Sequence, residues 1–171
     1  LQGKVELEAH NGYELLDLRF EFIPGEPARE VLAIENLWPG GNFKYGELAD
    51  NGELKPLRLT LNENAAGFAV RSRISGHGHS GPRNCCEWDA KEHSILLNGL
   101  PRFAWVLWRD CGFNPVHPQG GTWQFDRAGW CPGTFVHTQL SELTPFVSPG
   151  EEIALDYQVE AYDPEIAEAD G

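Results

Sequence analysis

A two-residue hydrophobic period, broken at short intervals by turn dipeptides, constrains this chain more than any other feature. From Leu16 to Phe22, Leu16, Leu18, Phe20 and Phe22 alternate with Asp17, Arg19 and Glu21. Successive side chains of a strand point to opposite faces, so such a run puts one row on a core and the other in water. Leu57, Leu59 and Leu61 repeat the pattern, as do Phe68 and Val70 against Arg71 and Arg73, and Ile153, Leu155, Tyr157 and Val159 against Asp156, Gln158 and Glu160. Residues 31–37, 94–97, 103–108 and 134–140 read as further strands. Pro24-Gly25, Pro39-Gly40-Gly41, Asn51-Gly52, Asn98-Gly99, Gly120-Gly121, Pro132-Gly133 and Pro149-Gly150 punctuate them. No stretch of helical length carries a 3.6-residue period. The expectation is an all-β chain, an antiparallel jelly-roll sandwich, folding as a single domain over residues 1–171. The acidic tail after Tyr162 is expected to fray.

Charge narrows the partners. The formal net charge is -13, which repels a phosphate backbone or an anionic membrane surface, so neither nucleic acid nor membrane is expected as a partner. Neutral ligands such as glycans remain compatible, because sugars are recognised by hydrogen bonds and ring stacking. The chain has no Met, which points to processing from a longer precursor or excision as a fragment. No signal peptide is visible, and any targeting segment is expected to have been removed. Four cysteines fit an oxidising compartment, secreted or periplasmic.

Two clusters offer chemistry. In Asn84-Cys85-Cys86-Glu87-Trp88-Asp89 an acid sits between cysteines and an indole. A carboxylate partly desolvated by an indole suits general acid or base work, although a surface acid beside a core Trp gives the same pattern. In Trp123-Gln124-Phe125-Asp126-Arg127-Ala128-Gly129-Trp130-Cys131 a guanidinium lies between indoles. Arg donates several hydrogen bonds to oxygen-rich ligands. The alternative is an Asp126–Arg127 pair pinning a loop. Cys111 and Cys131 bracket the long Gly-, Pro- and Trp-rich loop 112–133. A crosslink there would contribute about 3 kcal/mol in the chain-entropy model; two free buried thiols are the alternative. Adjacent Cys85 and Cys86 form a vicinal disulfide, pair elsewhere, or supply a thiol nucleophile with His93. His77 and His79 form an H-x-H in a glycine-rich loop, with His93 downstream, a pattern that metal sites also use.

Taken together, Gly76-His77-Gly78, Cys85-Cys86-Glu87-Trp88, Asp110-Cys111-Gly112-Phe113-Asn114-Pro115, Gly121-Thr122-Trp123 and 126–133 resemble the C-terminal domain of the peptide-N-glycosidase F family. Pro27-Ala28-Arg29-Glu30-Val31 and Lys44-Tyr45-Gly46 resemble it too, so the likeness runs over 27–162 and leaves 163–171 as tail. The resemblance implies one half of a double jelly roll, with the site along the interface of the halves, no metal and no cofactor. It implies hydrolysis of the amide between an Asn side chain and the first N-acetylglucosamine of an N-glycan. Glu87 then corresponds to the acid this half contributes, Arg127 to an active-site arginine, and Trp88 and Trp130 to aromatics near the sugar, with Trp123 and Asp126 as further substrate contacts. Cys111 and Cys131 match a family disulfide. The family pairs the first and last cysteines of a C-x-E-x-C motif. Here Asp89 takes the last place and Cys86 precedes Glu87, so that crosslink is expected to be rewired or missing.

The family's catalytic Asp belongs to the other half. The expected function is therefore the C-terminal domain or chain of an N-glycan-releasing amidase, acting on a glycoprotein and needing a second jelly roll. A non-catalytic glycan-binding or assembly module is the alternative. A copper protein using His77 and His79 is a third reading, weakened because the chain has no Met to supply a thioether.

Overall fold

The computed structural model describes residues 17–21, 23–45, 48, 52–78, 86–116 and 118–160. The chain divides into two compact units, 1–36 and 37–171. Among the described residues the second carries six strands: β1 (Leu57–Thr60), β2 (Ala69–Ser72), β3 (Lys91–Leu97), β4 (Leu100–Leu107), β5 (Gln139–Glu142) and β6 (Glu152–Val159), with one 3-10 turn at Thr144–Phe146. All pairings are antiparallel. One sheet has the order β1-β6-β3-β4, and β2 pairs with β5 in the other. The chain is all-β, as its period predicts.

The alternation decides which rows go inside. Ile95 and Leu97 of β3 meet Ile153, Leu155 and Tyr157 of β6, and Leu61, Val70 and Leu143 complete the buried cluster. Leu57 faces Leu155 and Leu59 faces Ile153 across the β1–β6 ladder. β3 reaches further toward its N-terminus than its apolar residues do, because Lys91 and His93 occupy inward positions. Lys91 is tolerated there by an ion pair to Asp89 at 2.9 Å and a second to Glu160 at 3.5 Å. The His93 ring stacks on Trp105, and its Nδ1 shares a hydrogen bond with the Tyr157 hydroxyl.

β3 turns into β4 through Asn98-Gly99, with φ of 52° and 77°. Two positive φ values in a two-residue loop match the right-handed twist of the flanking strands. Asn98 also ties the hairpin to β6: its N–H donates to the Ala154 carbonyl, and its Oδ1 accepts the Ala154 N–H, both at 2.8 Å.

Three expected strands differ. In the first unit, residues 17–21 and 31–36 form no strand, and Leu18, Phe20, Val31, Leu32 and Ile34 are exposed. Alternation gives a strand its two faces but not its ladder, and no partner strand pairs with these residues among those described. Leu16 and Phe22 lie outside the described residues, as does the tail 161–171. In the second unit, the expected strand at 134–140 begins only at Gln139. The Thr134 N–H donates to Cys131, the Phe135 carbonyl accepts from Arg109, and the Thr138 hydroxyl takes the Arg73 Nε.

Two predictions follow from this packing. No atom lies within 4 Å of where a Gly99 Cβ would stand, so Gly99→Ala isolates the strain of a positive φ. Urea unfolding should show a loss of about 1 kcal/mol, and unchanged stability would contradict the turn. Burial pushes the His93 imidazole down to about 4, against the opposing pull of Glu160. The unfolded chain therefore takes up a proton near the ordinary value of about 6.5 that the folded chain refuses. Stability from this residue is full at neutral pH, is lost as pH falls from about 6.5 to about 4, and amounts to about 3 kcal/mol. His93→Gln should flatten the pH dependence of unfolding in that window; an unchanged slope would show that His93 is not the group responsible.

Candidate functional site

Glu87 and Arg127, forty positions apart, meet on one side of the second unit through a small lattice of backbone hydrogen bonds. Ala128 is its centre. Its N–H donates to the Glu87 carbonyl at 2.8 Å, and its own carbonyl accepts the Gly76 N–H at 2.9 Å. The Glu87 N–H donates to the Gly78 carbonyl at 2.9 Å, and Cys86 to His77 at 3.2 Å. Arg109 and Arg127 exchange both backbone bonds, at 2.9 and 3.1 Å. Three chain segments thus lie closer than side chains allow. A Cβ on Gly76 would stand 2.3 Å from the Cys86 carbonyl oxygen and 2.6 Å from the Ala128 Cβ. Gly129, at φ 77°, has the Ile74 carbonyl and Leu107 in the same relation.

The side chains then fall into place. Arg127 Nη1 donates to Glu87 Oε1 at 2.7 Å, the length of a charge-assisted bond. Nη2 donates to the Thr122 carbonyl and Nε to the Phe125 carbonyl at 3.3 Å. The guanidinium is also held between two indoles, 4.3 Å from the Trp88 ring centre and 4.7 Å from that of Trp130. Each such stacking contributes about 0.5–2 kcal/mol. Only 3% of the Arg127 side chain and 14% of the Glu87 side chain remain exposed. The cation is fully committed, whereas the second oxygen of Glu87 makes no hydrogen bond among the described residues. The site therefore presents one carboxylate acceptor, a fixed positive charge behind it and two aromatic flanks.

The loop that delivers Arg127 is braced by the Cys111–Cys131 disulfide, which spans 20 residues. Buried Asn114 adds a second brace, its Nδ2 donating to the Pro132 carbonyl at 2.6 Å. Asp126 does not pair with Arg127; its Oδ1 accepts the Cys111 N–H at 2.9 Å and so fixes the loop entry. Trp123 is half-buried in the same loop. Trp130 donates from its indole to the Gly76 carbonyl at 2.9 Å and carries the His77 ring 4.9 Å away. Thr122 holds Arg127 through a carbonyl that any residue type possesses, so its identity gives no signal, whereas Gly76, read only as part of a motif, has to be glycine.

Of the candidate metal residues, the two that are described, His77 and His93, have different surroundings. His77 is exposed and bonded to the Ser75 hydroxyl at 2.9 Å, while His93 is buried in the core of β3. No group of three or more His, Cys, Asp or Glu is placed to hold a metal among the described residues. His79 and Cys85 lie outside those residues, and Cys86 is disulfide-bonded. A thiol nucleophile at Cys86 is thereby removed.

Comparison with known proteins gives the arrangement a family. A curated relative, peptide-N(4)-(N-acetyl-beta-D-glucosaminyl)asparagine amidase F of Elizabethkingia miricola, is 34% identical over 125 residues, which is 69% of this chain and 34% of the relative. The solved structure of PNGase F, a glycosylasparaginase from Flavobacterium meningosepticum, superposes with a TM-score of 0.59 at 32% identity, over 63% of this chain and 36% of that one. A crystal structure of peptide-N(4)-(N-acetyl-beta-D-glucosaminyl) asparagine amidase gives the same score, identity and coverage. The chain spans about a third of the length of these relatives. The sequence model described as the C-terminal part of peptide-N-glycosidase F matches residues 44–169, and the chain belongs to that family as its C-terminal domain.

Proposed function

We propose that this chain is the C-terminal half of an N-glycan-releasing amidase, and that it contributes Glu87 to a site completed by a second domain. The observation that supports the reading is the Glu87–Arg127 pair, held at 2.7 Å between Trp88 and Trp130. In the reaction, a water oxygen bonds to the side-chain carbonyl carbon of the glycosylated Asn. The bond from that carbon to nitrogen breaks, the nitrogen leaves with a proton as the glycosylamine, and the Asn becomes Asp. That sequence needs an acceptor for a proton or a sugar hydroxyl, a fixed charge near the developing oxyanion, and apolar surface for sugar rings. Glu87 offers the acceptor. Arg127 is its counter-charge and positions it, since its donors are already engaged. Trp88 and Trp130 each give one ring face to the guanidinium and offer the saccharide their remaining indole surface, with Trp123 alongside, while Asp126 holds the loop rather than the sugar.

The committed guanidinium also bears on why a second domain is required. One carboxylate with one open oxygen does not both activate water and polarise a carbonyl. The remaining groups, including the catalytic Asp that the family places elsewhere, come from the partner. A secreted or periplasmic setting agrees with the Cys111–Cys131 bond. No helix among the described residues is long and apolar enough to cross a membrane.

The test uses the isolated chain and a two-domain protein that contains it, each incubated with a denatured glycoprotein while released glycan is measured. The isolated chain should release essentially none. In the two-domain protein, Glu87→Gln should lower kcat by roughly a hundredfold, the low end of general acid–base contributions. Full turnover by the isolated chain would refute the split site, and an unchanged kcat in the Gln variant would remove Glu87 from the chemistry.

A further inference from the structure

The turn that carries Glu87 has a gap in its backbone bonding. The Glu87 N–H donates to the Gly78 carbonyl and the Glu87 carbonyl accepts the Ala128 N–H, at 2.9 and 2.8 Å. β3 begins at Lys91. Between these anchors neither Trp88 nor Ala90 makes a backbone hydrogen bond among the described residues. Trp88 still has to be held, because its ring covers one face of the Arg127 guanidinium at 4.3 Å. Its contact with the Phe125 ring, at 6.3 Å, is to a residue that is itself exposed. The middle of the turn is fixed by a side chain instead. Asp89 forms an ion pair with Lys91 at 2.9 Å, and only 12% of the Asp89 side chain is exposed.

Stability alone does not account for Lys91. It lies on the buried row of β3 that continues through His93, Ile95 and Leu97, and 3% of its side chain is exposed. Burying an ammonium with a carboxylate is often no better for stability than an apolar pair of similar volume. The surroundings nonetheless fix the ammonium closely. Glu160 Oε1 lies 3.5 Å from Nζ, while its Oε2 accepts the Glu92 N–H and its own N–H donates to the Glu92 carbonyl, both at 2.8 Å. Tyr45 packs with Cys86 and Val159. Burial, and then the charges of Asp89 and Glu160, push its hydroxyl up, so it stays uncharged beside the acids. An ammonium tied to the sheet by Glu160 thus sets where Asp89 stands. Apolar contact is non-directional and sets no such point.

We propose that Lys91 is a positioning residue for the candidate amidase site: by holding Asp89 it fixes the turn 87–90, keeps Trp88 over Arg127, and so keeps the Glu87 carboxylate aimed. It touches no substrate and acts only through the turn. Loss of the clamp lets Trp88 lift and admits water to the guanidinium. Water raises the local dielectric and weakens the 2.7 Å bond that orients Glu87. The role in catalysis rests on the amidase reading; the role in ordering the turn does not.

Lys91→Met alone strands a mostly buried carboxylate and endangers the fold. The deciding variant is therefore Asp89→Leu together with Lys91→Met, which removes both charges. Urea unfolding of this double variant should stay cooperative, with a midpoint close to that of the unaltered chain. NMR of the chain should then show the Trp88 indole N–H shifted and the Arg127 Nε–H exchanging with water about tenfold faster or more. In the two-domain protein, kcat per folded molecule should fall about tenfold, with KM within about twofold. A pair that served the fold alone would move neither readout once folding is matched. Unaltered signals at Trp88 and Arg127, or an unchanged kcat per folded molecule, would overturn the proposal. So would a double variant that does not fold, which would make the pair a requirement of the fold itself. If the NMR changes appear while the unaltered two-domain protein releases no glycan, the clamp stands and the amidase reading falls.

Discussion

The ion pair between Glu87 and Arg127 depends on three backbones packed closer than ordinary residues permit, and the site depends on that pair. A salt bridge that leaves 3% and 14% of its side chains exposed costs desolvation on both members. It is favourable here because each guanidinium nitrogen has a partner and both of its faces are covered by indoles. The geometry is set by Ala128, bonded at once to Glu87 and to Gly76. Gly76 is glycine because nothing larger fits between the Cys86 carbonyl and Ala128. The disulfide, Asn114 and Asp126 then restrain a loop that has little regular structure of its own.

The sheets serve this arrangement at one remove. β3 begins four residues after Glu87, and β4 runs into Arg109, whose backbone holds Arg127. The core of Ile95, Leu97, Ile153 and Leu155 therefore fixes the two strands from which the site segments leave. Toward the site end of β3 the core changes character. Lys91, His93, Tyr157 and Tyr45 replace aliphatic packing with ion pairs, a hydrogen bond and ring contacts. Such polar interiors specify a unique register, because a slip would strand every partner.

Much of the fold was legible in the sequence. The runs at 57–61 and 153–159 became β1 and β6, and Asn98-Gly99 became the hairpin its residues demand. Where reading by period fell short, pairing was the reason. Residues 17–21 and 31–36 have strand-like patterns and no ladder among the described residues, and 134–138 precede a ladder that begins only at Gln139. Lys91 and His93 break the rule that inward positions are apolar, so β3 begins earlier than its hydrophobic residues indicate. At the site, Glu87, Arg127, Trp88 and Trp130 stood out as side chains with chemistry, and they converge. Their partnership did not follow from spacing: Asp126 adjoins Arg127 in sequence yet bonds Cys111, while Glu87 takes the guanidinium. A backbone contributor such as Thr122 leaves no trace in residue type, whereas Gly76 leaves one through the side chain it lacks.

If this chain is one half of a two-domain site, as proposed above, its carboxylate is already oriented before a second domain docks, so little reorganisation remains. A double-mutant cycle on folding stability, with Glu87→Gln, Arg127→Met and the pair together, measures that orientation directly. The account predicts a favourable coupling of at least about 1.5 kcal/mol, within the range for contacting residues. Additive effects, to within about 0.5 kcal/mol, would mean that the two side chains do not hold one another in the folded protein.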